Sequence, residues 1–234
     1  MQNTLKLIQE RCSVRMPFDP KRPISRQDLS QILEAGRWAP TAHNMQNFEI
    51  VVVDDPGVLD KIGAIQSTIS ETFIRENYQQ LSFSEEELKQ KKVGLLGTMF
   101  PLSWRTPGMK PEVEAGRTRS FMVCPTLLIV LYDPGRRAPA SEGDFLGIIS
   151  LGCMMENLWL MANSLGIDFH IVSSLAGGSV GAEVKQILAI PDKIEIAFSV
   201  RLGYAVTTPP GHLRVRRDIA DFCHHNTFGN KGID

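Results

Sequence analysis

Near the start of the chain two arginines flank a serine, in the run Arg11-Cys12-Ser13-Val14-Arg15. In an extended segment Arg11, Ser13 and Arg15 point the same way, because side chains alternate with period two. Two guanidinium forks and a hydroxyl on one side can hold a phosphate, for which arginine is geometrically suited. Arg214, Arg216 and Arg217 repeat the theme near the other end. Spacing alone supports an anion site at each cluster, and a solvated loop explains either cluster taken singly. Cys223-His224-His225 carries metal-ligand types. Neighbouring residues diverge by about 100° on a helix, however, and chelate poorly, so no metal is expected. Gly177-Gly178 followed by Gly181 lacks the spacing and the later acidic residue of a dinucleotide fingerprint, and it reads as a loop.

The elements that must position these residues follow from periodicity. Leu5, Leu7 and Ile8 suit a short amphipathic helix over residues 2–11, and the proline-rich SVRMPFDPKRPI after it is a loop. Ser25 with Asp28 resembles a helix cap, opening a helix that runs to about Trp38 with Leu29, Ile32, Leu33 and Gly36 on one face. FEIVVV, CPTLLIVLYD (124–133), FHIVSSL and EIAFSVRLGYA are apolar or β-branched runs expected to be strands. Residues 58–78 look helical, and Ser84 with Glu87 caps a charged helix. AEVKQILAI is a helix stopped by Pro191. The proline- and tryptophan-bearing stretch within residues 77–116 reads as an insertion or lid, and residues 205–234 as a tail. Strands interleaved with helices, with no repeat and no long linker, indicate one α/β or α+β sandwich domain over 1–234.

Between residues 145 and 165 apolar side chains cover every face of a long helix. Such a helix has no solvent side and must be covered, either inside a monomeric core or by a partner subunit. Its length approaches a membrane span, yet Glu156, Asn157 and Asn163 interrupt it, so a buried helix of a soluble protein is expected. With 25 basic against 26 acidic residues the net charge is −1. That balance argues against broad nucleic-acid or membrane-surface binding. Cys12, Cys124, Cys153 and Cys223 form no CxxC pair, and MQNTLKLIQERCSVR lacks the pattern of a signal peptide, so a cytoplasmic setting is expected.

Taken in order, ERCSVRMPFDP and ISRQDLSQILEAGRWAPTAHNMQNFEIVVV resemble the opening of the nitroreductase family. That family begins with an Arg-x-Ser-x-Arg segment, then a helix ending in Ala-x-x-Ala-Pro-Ser-x-x-Asn-x-Gln-Pro-Trp. Here Ala35-Gly36-Arg37-Trp38-Ala39-Pro40-Thr41-Ala42-His43-Asn44-Met45-Gln46-Asn47-Phe48 stands at that place. Later landmarks keep the order: Glu156-Asn157-Leu158, Ser164-Leu165-Gly166-Ile167, Leu188-Ala189-Ile190-Pro191, Val200-Arg201-Leu202-Gly203-Tyr204, and the arginine-rich tail.

The resemblance implies an α+β sandwich with a mainly antiparallel, mixed central sheet flanked by helices, and the long helix at a homodimer interface. It implies FMN at that interface. The phosphate and ribityl chain would fall to Arg11, Ser13 and Arg15, with Cys12 lining the path where a basic residue is often found. Pro40, Thr41, Ala42, Asn44 and Gln46 would contribute from the other subunit, and Asn47-Phe48 replaces Pro-Trp. Ser173, Ser174 and Leu175 would lie beside the flavin ring, where a backbone N–H can stabilise charge on the reduced ring. Arg216 matches the C-terminal phosphate arginine, with Arg214 and Arg217 beside it. His43 and Trp104 are candidates for touching substrate. NADH or NADPH would reduce FMN, and a nitroaromatic or quinone would reoxidise it in a ping-pong cycle. The flavin carries the chemistry, so no catalytic side chain is expected. Reductive dehalogenation, enal reduction, flavin breakdown and non-catalytic flavin binding remain alternatives on the same fold.

Overall fold

A run of apolar residues without polar alternation marks a strand buried on both faces. Thr126–Tyr132 is such a strand, with every residue but the last buried. In the computed structural model, which describes residues 4–65, 84–91, 123–141, 143–208 and 215–233, it is the second of four strands. These are β1 (Phe48–Val53), β2 (Thr126–Tyr132), β3 (Asp168–Val172) and β4 (Glu195–Gly203), in the spatial order β1-β2-β4-β3. Every pairing among them is antiparallel, with Phe48 opposite Tyr132, Thr126 opposite Leu202 and His170 opposite Arg201. Among the described residues the expected mixed character survives as an isolated parallel bridge from Ser13, outside the named strands, to Phe169 of β3.

Alternation along β2 sends Leu128 and Val130 to one face and Leu127, Ile129 and Leu131 to the other. The first face packs with Ile32 of α2 (Arg26–Arg37) and with Leu151, Met154, Leu158 and Ala162 of a long helix. The second packs with Ile62 of α3 (Pro56–Gly63), and with Val14, Phe18 and Val184. Before α2 comes the short α1 (Thr4–Glu10). The other helices among the described residues are α4 (Glu85–Lys91), α5 (Phe145–Ser164), α6 (Gly178–Ile187) and α7 (Ile219–Phe222).

Two compact units are formed, one by Met1–Ser67 with Thr118–Pro209, the other by Thr68–Arg117 with Pro210–Asp234. The sheet, α1–α3, α5 and α6 belong to the first. The described part of the second consists of α4 and the chain from residue 215 onward.

The helix starts legible in sequence form as read. Ser25 Oγ accepts from the Asp28 amide at 3.0 Å, and the Ser84 and Glu87 side chains cap α4 reciprocally. Three expectations are corrected. Residues 58–78 do not make one helix: α3 starts earlier, at Pro56 behind the Asp55 cap, and ends at Gly63, and residues 66–78 lie outside the described set. The glycines from 177 are not a loop, since Gly178 and Gly181 belong to α6, with an added Cβ at Gly181 meeting the Ala176 carbonyl at 3.1–3.2 Å. Nor does Pro191 stop α6. It ends at Ile187 because Ala189 turns left-handed (φ 53°), with Ile190 N–H donating to Lys185 O and Ala189 N–H to Gln186 O. This is the Schellman pattern, and α5 ends the same way at Gly166.

The long helix α5 differs from its expected form in an informative way. Gly147, Ser150, Leu151, Met154, Leu158 and Ala162 are buried against the sheet and α2. The opposite side of its first turns is open, with Phe145 67% and Ile148 51% exposed and Leu146 and Ile149 also exposed. Within one chain this helix does have a solvent side, and that side is apolar.

Candidate functional site

The strap after α1 is built against the edge of the sheet. Arg11 N–H still donates to Leu7 O, so Arg11 closes α1 and the extended run begins only at Cys12. From there Ser13 bridges Phe169 and Val14 N–H donates to Phe169 O at 2.9 Å. Phe18 is fully buried and donates its amide to Val123 O. The expectation that Arg11, Ser13 and Arg15 share one side of an extended segment is thereby corrected for Arg11. Its Nε donates to Glu156 Oε1 of α5 at 2.7 Å, and its guanidinium lies 5.0 Å from the Trp159 ring. Trp159 in turn stacks on Phe169 and donates its indole N–H to Cys12 O. Arg15 donates to Ser13 O, and partial burial lowers its pKa, opposed by the nearby Cys12 sulfur.

Behind the strap lies a pair that sequence reasoning missed. Arg201 of β4 is 0% exposed. Its Nε and Nη2 reach His170 Nδ1 at 3.1 and 2.7 Å, and it donates to the carbonyls of Val123 and Met16 at 3.2 and 3.3 Å. Arginine offers only donors, so Nδ1 must be bare and the imidazole neutral with its proton on Nε2. Burial, then the charges of Arg201 and Arg15, hold the His170 pKa down to about 2. A charged residue inside an apolar strand, Phe198-Ser199-Val200-Arg201-Leu202, was the available signal.

The second group is the turn after α2. Gly36 brings α2 so close to α5 that an added Cβ would lie 2.7 Å from Leu158 Cδ2, and Asn157 Nδ2 donates to Ala35 O. The chain then turns through a 3-10 segment, Ala42–Asn44, in which His43 and Asn44 take φ of 51° and 53°; Gln46 follows at 45°. Asparagine tolerates this region, but for His43 and Gln46 it costs about 1–2 kcal/mol each. The turn is held by Gln46 N–H donating to Thr41 Oγ1 and by Gln46 Nε2 donating to Asn44 Oδ1. Ala42 N–H donates to Ser150 Oγ on α5 at 3.1 Å, while that hydroxyl donates to Leu146 O. Asn47 is buried over Gly147, and its side-chain Oδ1 has no hydrogen-bond partner among the described residues. Strain persists where its surroundings over-determine it, and such turns gather at ligand sites. His43, Asn44 and Gln46 are exposed, as is Pro40.

Strap and turn are not brought to one point. The turn engages α5 at residues 147–150 and the strap at 156–159, about 9–18 Å apart along the helix at 1.5 Å per residue. At the end of β3, Ser173–Leu175 form a 3-10 turn with no side-chain cap, Ser173 and Ser174 exposed and Leu175 buried. The opening amides of such a turn have no acceptor within it.

In the second unit Arg216 donates to Val215 O, Arg217 lies 5.5 Å from the Phe222 ring, and Asp218 with Asp221 caps α7. His224 Nδ1 accepts from Gly229 N–H and stacks on Phe228. Among the described residues no group of His, Cys, Asp or Glu is placed to hold a metal. Arg214 and Trp104 lie outside the described residues.

Comparison with known proteins bears on this arrangement. A NADPH-dependent oxidoreductase of Staphylococcus haemolyticus is 21% identical over 96% of this chain and 73% of its own length. A putative NAD(P)H nitroreductase of Staphylococcus aureus is 34% identical over a short match of 47 residues, 20% of this chain and 21% of that one. Among solved structures, a nitroreductase with bound FMN from Desulfitobacterium hafniense is 26% identical with a TM-score of 0.57, over 92% of this chain and 95% of that one. A putative NADH dehydrogenase/NAD(P)H nitroreductase from Parabacteroides distasonis has a TM-score of 0.62 at 18% identity, over 97% and 100%. The sequence pattern of the nitroreductase family itself matches residues 8–204, which span the strap, the strained turn and the whole sheet, and the chain belongs to that family.

Proposed function

We propose that the protein is an FMN-dependent oxidoreductase whose flavin phosphate is held by the strap at Ser13 and Arg15. The observation that carries this reading is the buried cation behind the strap: Arg201 has carbonyls and a neutral imidazole as partners, with no carboxylate among the described residues. A buried positive charge without a counter-charge is costly, and a phosphate next to the strap offsets it. When bound, FMN supplies the redox chemistry, taking hydride from NADH or NADPH and passing reducing equivalents to a nitroaromatic or quinone in a ping-pong cycle.

The chain's own residues bind and orient. Arg15 and Ser13 face the phosphate, and Arg11, already paired with Glu156, lines the approach. By family likeness the amides of Ser173 and Ser174 would donate toward the ring, and the same likeness gives Arg216 a phosphate role. The strained turn at Thr41–Gln46 serves the flavin of a partner subunit, consistent with its separation from the strap along α5. The apolar outer side of α5 is the surface such a homodimer buries. The cysteines, none of them in a disulfide among the described residues, suit a reducing cytoplasm.

The test is direct. The purified protein is expected to be yellow, with a flavin spectrum that NADH or NADPH bleaches anaerobically and that a quinone restores. A colourless protein that does not take up added FMN refutes the cofactor, and flavin that neither nicotinamide reduces refutes the reductase. Sedimentation giving a stable flavin-loaded monomer refutes the shared site.

A further inference from the structure

The strap is not itself part of the sheet: it is tied to β3 by the Ser13 bridge and the Val14 amide, to Val123 O by the Phe18 amide, and to the chain just after β4 by Asp19 N–H donating to Tyr204 O and Val206 N–H donating to Pro17 O. Arg201 adds another tie from below. Its Nη2 donates to Met16 O and its Nη1 to Val123 O, the residue whose carbonyl also accepts the Phe18 amide. The guanidinium lies over the Phe18 ring at 4.7 Å, and His170, directly opposite in register, accepts from two of its nitrogens. The fixed fork thereby makes four contacts, two with His170, one with Val123 O and one, to Met16 O, with the backbone that immediately follows Arg15.

The same group carries a charge for which the described residues supply no carboxylate. Cys124 lies close by, but burial pushes its thiol up to about 11, so it supplies no thiolate at neutral pH. His170 is neutral. Arg201 and Arg15 repel one another, and burial with that repulsion pulls Arg201 down to about 10, still cationic at neutral pH. In a low-dielectric surrounding such a charge acts over a longer reach than at the surface.

We propose that Arg201 is a positioning residue that makes the site select a phosphorylated flavin over the unphosphorylated one, by fixing Met16 and placing a second positive charge behind Arg15. This rests on the reading that the strap holds the FMN phosphate. Arg15 alone would bind a phosphate from the solvent side; Arg201 makes the site discriminate, because riboflavin leaves the buried charge unmatched.

The experiment compares dissociation constants of FMN and riboflavin, by quenching of flavin fluorescence, for the full-length protein stripped of flavin. The wild type is expected to prefer FMN at least 100-fold. Arg201→Met, which keeps the volume and removes the charge, is expected to lower that preference at least tenfold while riboflavin affinity changes less than threefold. Arg201→Lys, which retains the charge, is expected to keep the preference within threefold of wild type. Equal weakening of both flavins by Arg201→Met reduces the residue to a packing role and overturns the proposal, as does an unchanged ratio. If Arg201→Met does not fold, a tenfold loss of preference in Arg201→Lys overturns the charge argument. A wild type that binds FMN and riboflavin alike overturns the strap reading itself, whatever the variants do.

Discussion

His170 gives a pH dependence of stability whose sign and size follow from its contacts. In the folded chain Arg201 occupies Nδ1 with two donors, so protonation there requires breaking both contacts beside a buried cation. The unfolded chain carries an ordinary histidine with a pKa near 6.5, while the folded value is about 2. Below pH 6.5 the unfolded state therefore binds a proton that the folded state refuses. The contribution is fully present above pH 6.5 and is lost progressively as the pH falls toward 2. Linkage for one such group gives a loss of about 1 kcal/mol between pH 6.5 and 5.5, approaching about 1.4 kcal/mol for each further unit. Other groups titrate in the same range, so the measurement is a difference. Urea unfolding of wild type and His170→Gln is followed from pH 7.5 to 4.5; glutamine still offers Arg201 an acceptor but does not titrate. The wild-type stability is expected to fall faster by about 1 kcal/mol over the first unit below 6.5. Parallel profiles would mean that the folded protein accepts the proton at the ordinary pKa, and the neutral, bare-Nδ1 assignment would be wrong.

Three other outcomes are expected. The matching ends of α5 and α6 differ in the residue that turns left-handed. Ala189→Gly is expected to stabilise, and Gly166→Ala to destabilise, by about 1 kcal/mol, the left-handed cost less the entropy of glycine. That is a shift of about 2–4 °C in opposite directions by thermal unfolding for a chain of this size, and shifts of the same sign would contradict the cap geometry. Gly36→Ala forces a methyl into Leu158 and Met154, both fully buried, and is expected to lower the urea midpoint by the equivalent of about 1–3 kcal/mol; an unchanged midpoint would show that the two helices can part. Arg216→Ala is expected to weaken FMN binding by roughly 1.5–3 kcal/mol, about 10- to 150-fold, by flavin titration, and undiminished flavin occupancy would remove Arg216 from the site.

Local signals were readable and distant ones were not. Ser25 and Asp28 are three residues apart, and their cap needs no tertiary context. The four strands announce themselves because burial on both faces leaves unbroken apolar runs. The direction of their pairing, by contrast, came through family likeness. Arg11 and Glu156 are separated by 145 positions, and Arg201 and His170 by 31. Only strand register and helix docking bring these together, so Arg11 was grouped with Ser13 and Arg15 by spacing although its side chain belongs to α5. The glycines at 177–181 misled for a related reason. Composition marks them as loop-forming, whereas α6 uses Gly181 to pass close to the Ala176 carbonyl. The turn at 41–46 was picked out by its motif, but its strain and its attachment to Ser150 are properties of backbone angles that no residue type declares.

That attachment has a thermodynamic consequence. One hydroxyl, Ser150 Oγ, accepts from the turn and donates to Leu146 O, and Leu146 belongs to the exposed apolar side of α5. A ligand at the turn and a body resting on that side therefore act on the same short stretch of helix. Linkage between them is reciprocal: whatever factor the one adds to the affinity of the other is returned unchanged. A two-chain assembly joined through this stretch would lose ligand on dilution and lose its partner on ligand removal, by the same factor. Ser150→Ala, which removes the shared hydroxyl and with it the acceptor of the Ala42 amide, is the place to cut that coupling.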